Sequence, residues 1–189
     1  MDDSLVNRIR WAAFDRVRAK TAMTAIELAA ELQTPLADVE GVLATQSAVG
    51  QIELDPGGSV VGSLGLTLST TKHTLEIDGT ELHTWCALDA LGIPAASAAS
   101  GRVITSCGWC GRTLTLAIEA GVPEEDDKMV LWLPSGPCDS DMREQFCSMA
   151  NLFCGSAHLE QWRTQAGQPQ GRALSVPGAA DLGRESWRR

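Results

Sequence analysis

Several segments and motifs that would announce common functions are missing from this chain. Met1-Asp2-Asp3-Ser4 has neither the basic nor the apolar region of a secretion signal, and no apolar run reaches the roughly 20 residues that cross a bilayer. A cytoplasmic protein with reduced thiols is therefore expected. No G-x-S-x-G elbow, G-x-G-x-x-G turn or G-x-x-x-x-G-K-[ST] loop occurs, so neither serine hydrolysis nor nucleotide binding is indicated, and no organic cofactor is expected. Basic residues are scarce: 15 Lys and Arg face 24 Asp and Glu, a net charge of −9 that repels phosphate backbones and anionic lipid heads alike. Nucleic acid and membrane are thus disfavoured as partners.

The remaining composition is that of an ordinary globular protein. At 189 residues and 44% hydrophobic, the chain can bury about 70% of the surface it exposes when unfolded, and its fold needs no covalent or metal staple. The six cysteines then call for a chemical explanation.

Residues 1–64 read as a winged-helix-like module. Val6, Ile9, Ala13 and Val17 share one helical face, and Thr24 with Glu27 forms a capping box opening a helix over 25–33. Thr34 before Pro35 opens a third helix with Leu36, Val39, Val42 and Leu43 inward, and residues 51–54 and 59–61 flank Asp55-Pro56-Gly57-Gly58 as a small wing. Winged helices often read DNA, but between Thr21 and Thr71 there is no Lys or Arg, whereas Glu27, Glu31, Asp38, Glu40, Glu53 and Asp55 all fall there. The phosphate contacts that supply most DNA affinity are missing, so a packing module is expected rather than a DNA-binding regulator.

From residue 70 the pattern becomes that of strands. Leu75 and Ile77 precede the hairpin turn Asp78-Gly79, and 81–83 return. A short helix over 85–91 should stop at Gly92 and Pro94. Residues 102–106 and 112–118 should pair around Cys107-Gly108-Trp109-Cys110-Gly111, with a further strand over 129–133 after the acidic loop 124–127. A helix is expected over 139–146, either helix or strand over 147–154, a helix capped by Ser156 up to 165, a loop over 167–171 and a fraying basic tail from 183. The predicted class is α+β: a three-helix winged-helix-like module (1–64) packed on a mixed or antiparallel sheet core with short helices (65–189).

Cys86 and Asp89 stand three apart in a helical segment, which puts their side chains on one face about 5 to 6 Å apart at Cβ. A first-turn Cys86 would have its thiol acidified by the helix dipole, and the apolar neighbours Leu88, Leu91 and Ile93 would raise the Asp89 carboxyl. That pair is either a thiolate beside a proton carrier, or a buried structural cysteine beside a solvated helix residue.

Trp85-Cys86-Ala87-Leu88-Asp89-Ala90-Leu91 with Ile93-Pro94, and downstream Gln145-Phe146-Cys147, resemble the signature segments of organomercurial (alkylmercury) lyases. The likeness extends from about residue 65 to about residue 185. It implies an α+β fold and protonolysis of a carbon–mercury bond to a hydrocarbon and Hg²⁺, as in mercury resistance and detoxification. It also makes Cys86 and Cys147 the mercury thiolates and Asp89 the proton carrier, with a small organomercury compound as substrate, exogenous thiols to release the metal and possible hand-over to a mercuric reductase. The chemistry agrees: mercury prefers thiolate to oxygen or imidazole, and two thiolates make the bound carbon basic enough to take a proton. A non-catalytic thiol carrier of soft metals would need the same cysteines but no proton donor, so Asp89 discriminates between the two readings.

Ser148 departs from the resemblance, since the family often has a second cysteine there. Cys110, Cys138 and Cys154 are additional thiols, whereas the strand cysteine Cys107 falls within the likeness. Cys107 and Cys110 form a C-x-x-C, but a structural zinc site wants a second ligand pair, and no βαβ unit frames a redox motif. The expectation is a buried Cys107 with Cys110 incidental in its turn; an auxiliary thiol passing mercury onward is the sharper alternative. His73, His83 and His158 look scattered and superficial. The tryptophans read as core, with Trp85 placed to wall a pocket beside Cys86.

Overall fold

The computed structural model describes residues 3–124, 126, 128–135 and 141–188. Three helices lead the chain: α1 (Asp3–Arg18), α2 (Ala25–Leu32) and α3 (Leu36–Ala48). The expected capping box opens α2: the Thr24 N–H donates to Glu27 Oε2 at 2.8 Å, and the Glu27 N–H donates to Thr24 Oγ1 at 3.3 Å. Pro35, not Thr34, caps α3, and Leu36, the first residue of the helix, is exposed while Val39, Val42 and Leu43 are buried. The wing forms as strands β1 (Ile52–Leu54) and β2 (Val60–Ser63), paired antiparallel. Ile9, Leu28, Val39, Ile52 and Val60 meet in a small apolar cluster.

That hairpin is the edge of a larger sheet. With β3 (Leu66–Thr67), β4 (Thr74–Ile77), β5 (Thr80–Thr84), β6 (Gly101–Ser106), β7 (Thr113–Glu119) and β8 (Val122–Pro123) it forms eight strands in the order β1-β2-β3-β5-β4-β6-β7-β8. A second sheet has β9 (Val130–Pro134) between β10 (Leu152–Phe153) and β11 (Gly171–Ser175). All pairings among the described residues are antiparallel, which settles the mixed-or-antiparallel alternative. The β4–β5 turn places Asp78 and Gly79 at φ 50° and 76°, the left-handed pair that a two-residue hairpin requires.

The central helix α4 (Ala87–Ser97) runs through both of its expected stops. Ala87 to Ala95 are all buried, and burial on every side outweighs the hydrogen bond forgone at Pro94. Gly92 is there for close approach: helix α6 (Val176–Ser186) crosses it so tightly that a Cβ on Gly183 would lie 2.1 Å from the Gly92 Cα. The tail expected to fray is docked by the same contact, and Trp187 Nε1 donates to the Leu64 carbonyl at 2.7 Å. Both β11 and α6 escape the sequence reading. Helix α5 (Ser156–Gln165) begins where expected, but Gly155 holds the cap position and Ser156 makes no capping bond. The helix expected over 139–146 is a π-helical turn, Arg143–Cys147, while Asp139 and Cys138 lie outside the described residues. Among the described residues no helix is long and apolar enough to cross a membrane.

Candidate active site

Cys86 is the N-cap of α4, extended at φ −149° and ψ 173°, and Asp89 is the third residue of the helix. Its carboxylate accepts the Cys86 N–H at 2.9 Å, and its own N–H faces the Cys86 sulfur, so thiol and carboxyl are locked together by a capping box. Thr84 Oγ1 holds the Cys86 carbonyl at 3.0 Å. Gly65, at φ +88°, leaves the room Asp89 occupies: a Cβ there would come within 2.6 Å of Asp89 Cγ.

Cys147 arrives from the end of the π-helical turn, 61 residues downstream of Cys86. The Ala87 N–H donates to the Ala150 carbonyl at 3.1 Å, which ties the start of α4 to the segment after Cys147. One ligand atom from each of Cys86, Asp89 and Cys147 lies within 4.8 Å of the others, and all three residues are buried. Asp89 and Cys147 line a cavity of about 330 Å³; Cys86 stands behind them, fully buried.

The electrostatics correct one expectation. Burial, first, and then the neighbouring Cys147 and Asp89 push the Cys86 thiol well above its ordinary pKa. The N-cap amides cannot offset complete removal from water, so Cys86 rests as a thiol and not as a dipole-stabilised thiolate. The Asp89 carboxyl is pushed up to about 7, again by burial and against the hydrogen bonds from Cys86. It holds or releases a proton near neutrality, as its apolar neighbours suggested.

Several residues of the site have no local signal in the sequence. Arg10 and Gln51 from the N-terminal module, Leu64 and the C-terminal Trp187 all line the cavity. Trp85 forms a wall as expected, anchored by Nε1 to Glu53 Oε2 at 2.9 Å with Arg143 over its ring. Lys72 reaches in to donate from Nζ to the buried Asn151 Oδ1 at 2.6 Å, close enough for its charge to be coupled to Cys86. Ser148 is exposed and gives its hydroxyl to the Glu144 carbonyl.

The sequence model of the family described as Alkylmercury lyase matches residues 66–187, which hold all three of these residues. The chain belongs to the alkylmercury lyase family. Among curated alkylmercury lyases, that of Staphylococcus epidermidis is 34% identical over 160 residues, 84% of this chain and 71% of that protein. That of Bacillus cereus is 33% identical over 165 residues, covering 86% and 73%. The fold resembles the crystal structure of the mercury-bound form of MerB2, with a TM-score of 0.88, 20% identity, and coverage of 94% of this chain and 89% of that one.

Two other expectations fail within this alkylmercury lyase fold. His73 is buried, not superficial: its Nδ1 lies 2.7 Å from Thr105 Oγ1, and burial beside Lys72 lowers its pKa to about 3. His158 is not isolated, because its Nδ1 lies 2.8 Å from Cys154 Sγ and 3.7 Å from Cys107 Sγ. Cys110 joins them with its sulfur 3.9 Å from that of Cys154. Cys107 itself is buried as expected. His83 stands outside both groups of candidate ligands. Trp132 is core, whereas Trp109 is exposed.

Proposed function

We propose that this chain is an organomercurial lyase that cleaves carbon–mercury bonds by protonolysis, with Cys147 and Cys86 as mercury ligands and Asp89 as proton carrier. The observation that carries this reading is the convergence of two thiols and one carboxyl, two of the three lining a cavity, in a chain of the alkylmercury lyase family.

The order of events follows from exposure. Cys147 faces the cavity and meets the substrate first. Its sulfur displaces the thiolate on R–Hg–SR′, forming Cys147–S–Hg–R and releasing R′SH. Asp89, as carboxylate, then takes the proton of the Cys86 thiol, and the freed Cys86 thiolate binds mercury as a second sulfur ligand. Electron density from two sulfurs makes the carbon basic. Protonated Asp89 gives its proton to that carbon, the carbon–mercury bond breaks, R–H leaves, and Hg²⁺ remains between Cys86 and Cys147 with Asp89 again ionised. A carboxyl poised near pH 7 suits both halves of this transfer. Small thiols then strip Hg²⁺ from the site by exchange.

A cytoplasmic location, where small thiols are abundant, and hand-over of Hg²⁺ to a mercuric reductase complete the reading. No organic cofactor takes part. A small apolar cluster lying wholly within residues 1–64 supports a packing module there, docked on the catalytic unit (65–189) through Phe14 and Val17, which join the larger cluster. The alternative, a soft-metal carrier, leaves Asp89 without a task. Phenylmercury with excess thiol distinguishes them: a lyase releases benzene over many turnovers, a carrier takes up metal and releases none.

A further inference from the structure

We propose that Cys107, Cys110, Cys154 and His158 form a second metal site, a closed Cys₃His site for Zn²⁺ separate from the mercury chemistry. Cys107 and Cys110 flank the knuckle between β6 and β7 on the large sheet. Cys154 follows β10 of the small sheet, and His158 lies in the first turn of α5. One ligand atom from each of the four lies within 4.8 Å of the others.

Two of the three edges given by the structure match a zinc tetrahedron. Zinc at about 2.3 Å from sulfur and about 2.0 Å from nitrogen sets sulfur–sulfur edges near about 3.8 Å and sulfur–nitrogen edges near about 3.5 Å. The Cys110–Cys154 edge is 3.9 Å and the Cys107–His158 edge is 3.7 Å. The third edge, Cys154 to His158 at 2.8 Å, is shorter than the tetrahedral value and is a direct hydrogen bond that a metal would replace by drawing the two atoms apart. The pairing is C-x-x-C with C-x₃-H, the second ligand pair that the cysteines alone do not supply. Backbone N–H groups of Cys110, Cys154 and Trp109 point at the Cys107 sulfur, as they must to stabilise a bound thiolate. Cys110 is exposed and Cys154 and His158 are half-buried, which gives the ion a route in.

Four ligands including an imidazole favour zinc over mercury, which two thiolates already satisfy. The site joins elements that otherwise meet through few bonds: the Gly108 N–H donates to the Leu152 carbonyl at 2.9 Å, and Gly108 packs on Phe153 so closely that a Cβ would lie 2.9 Å from its ring. Zinc there would clamp the large sheet to the small one.

The test is elemental analysis and cobalt substitution of the whole protein purified with reductant. Wild type should hold about one zinc per chain after desalting, and cobalt(II) should give the intense visible bands of tetrahedral thiolate coordination. The Cys86→Ser/Cys147→Ser double variant should keep both signals; Cys110→Ser and His158→Ala should lose them. A chelator should lower the melting temperature of wild type. Wild type without stoichiometric zinc or the tetrahedral cobalt spectrum would overturn the proposal. So would loss of metal in the Cys86/Cys147 variant with retention in Cys110→Ser, or a Cys110–Cys154 disulfide in protein that takes up no metal.

Discussion

Replacing Asp89 by Asn separates the proton from everything else the side chain does. Asn keeps the size of Asp89 and an oxygen to accept the Cys86 N–H, but its charge is zero at every pH. Moving a carboxyl from its ordinary 3.8 to about 7 amounts to about 4 kcal/mol of folding free energy. The sign follows from proton counts. Between the two values the folded protein holds a proton that the unfolded chain has lost, so stability is greatest below pH 4 and falls as pH rises through 7. Between pH 5 and pH 8 about 3 kcal/mol of it is lost. Urea unfolding under reductant at those two pH values should show wild type losing about 3 kcal/mol more than Asp89→Asn. His73, whose lowered pKa works in the opposite direction below pH 6.5, contributes equally to both proteins and cancels. In the same variant, hydrocarbon release in a single turnover should fall by about 10² to 10⁴ while mercury capture persists. Parallel stability profiles would mean that Asp89 is ionised in the folded protein, and its role as a proton reservoir would have to be given up.

Cys147→Ser should abolish capture and cleavage alike, since an alcohol cannot replace a soft thiolate; Cys86→Ser should still capture organomercury through Cys147 but release no hydrocarbon, which binding and product assays distinguish. Gly65→Ala should displace Asp89, because the new methyl falls within 2.6 Å of its Cγ at a φ of +88°; a cost of about 1 to 3 kcal/mol in unfolding and a drop in turnover are expected. Lys72→Met should move the alkylation of Cys86 to higher pH by less than about one pH unit, since solvent screens the lysine, and should lower the melting temperature because the buried Asn151 Oδ1 loses its donor.

The parts of this site that one helix determines can be read from the chain. Cys86 and Asp89 are three residues apart, so periodicity alone places them together, and the apolar run around Asp89 announces its raised pKa. Cys147 is identified through resemblance, because no local rule links it to a helix 61 residues away. Arg10, Gln51 and Trp187 enter through tertiary packing and carry no motif. The stops expected at Gly92 and Pro94 fail because local propensity yields to a helix buried on all sides, where Gly92 serves the crossing of α6. The Cys154 and His158 pair was within reach: the four-residue spacing across a helix start is a ligand spacing, hidden when cysteines are matched only with cysteines.

The central claim, that these two thiols and this carboxyl protonate carbon bound to mercury, is tested most directly by phenylmercury turnover in D₂O with excess thiol, with the benzene analysed by mass spectrometry. Catalytic release of benzene carrying a single deuterium is predicted, abolished in Cys86→Ser and Cys147→Ser. Stoichiometric mercury uptake without benzene, or full turnover in either cysteine variant, would contradict it.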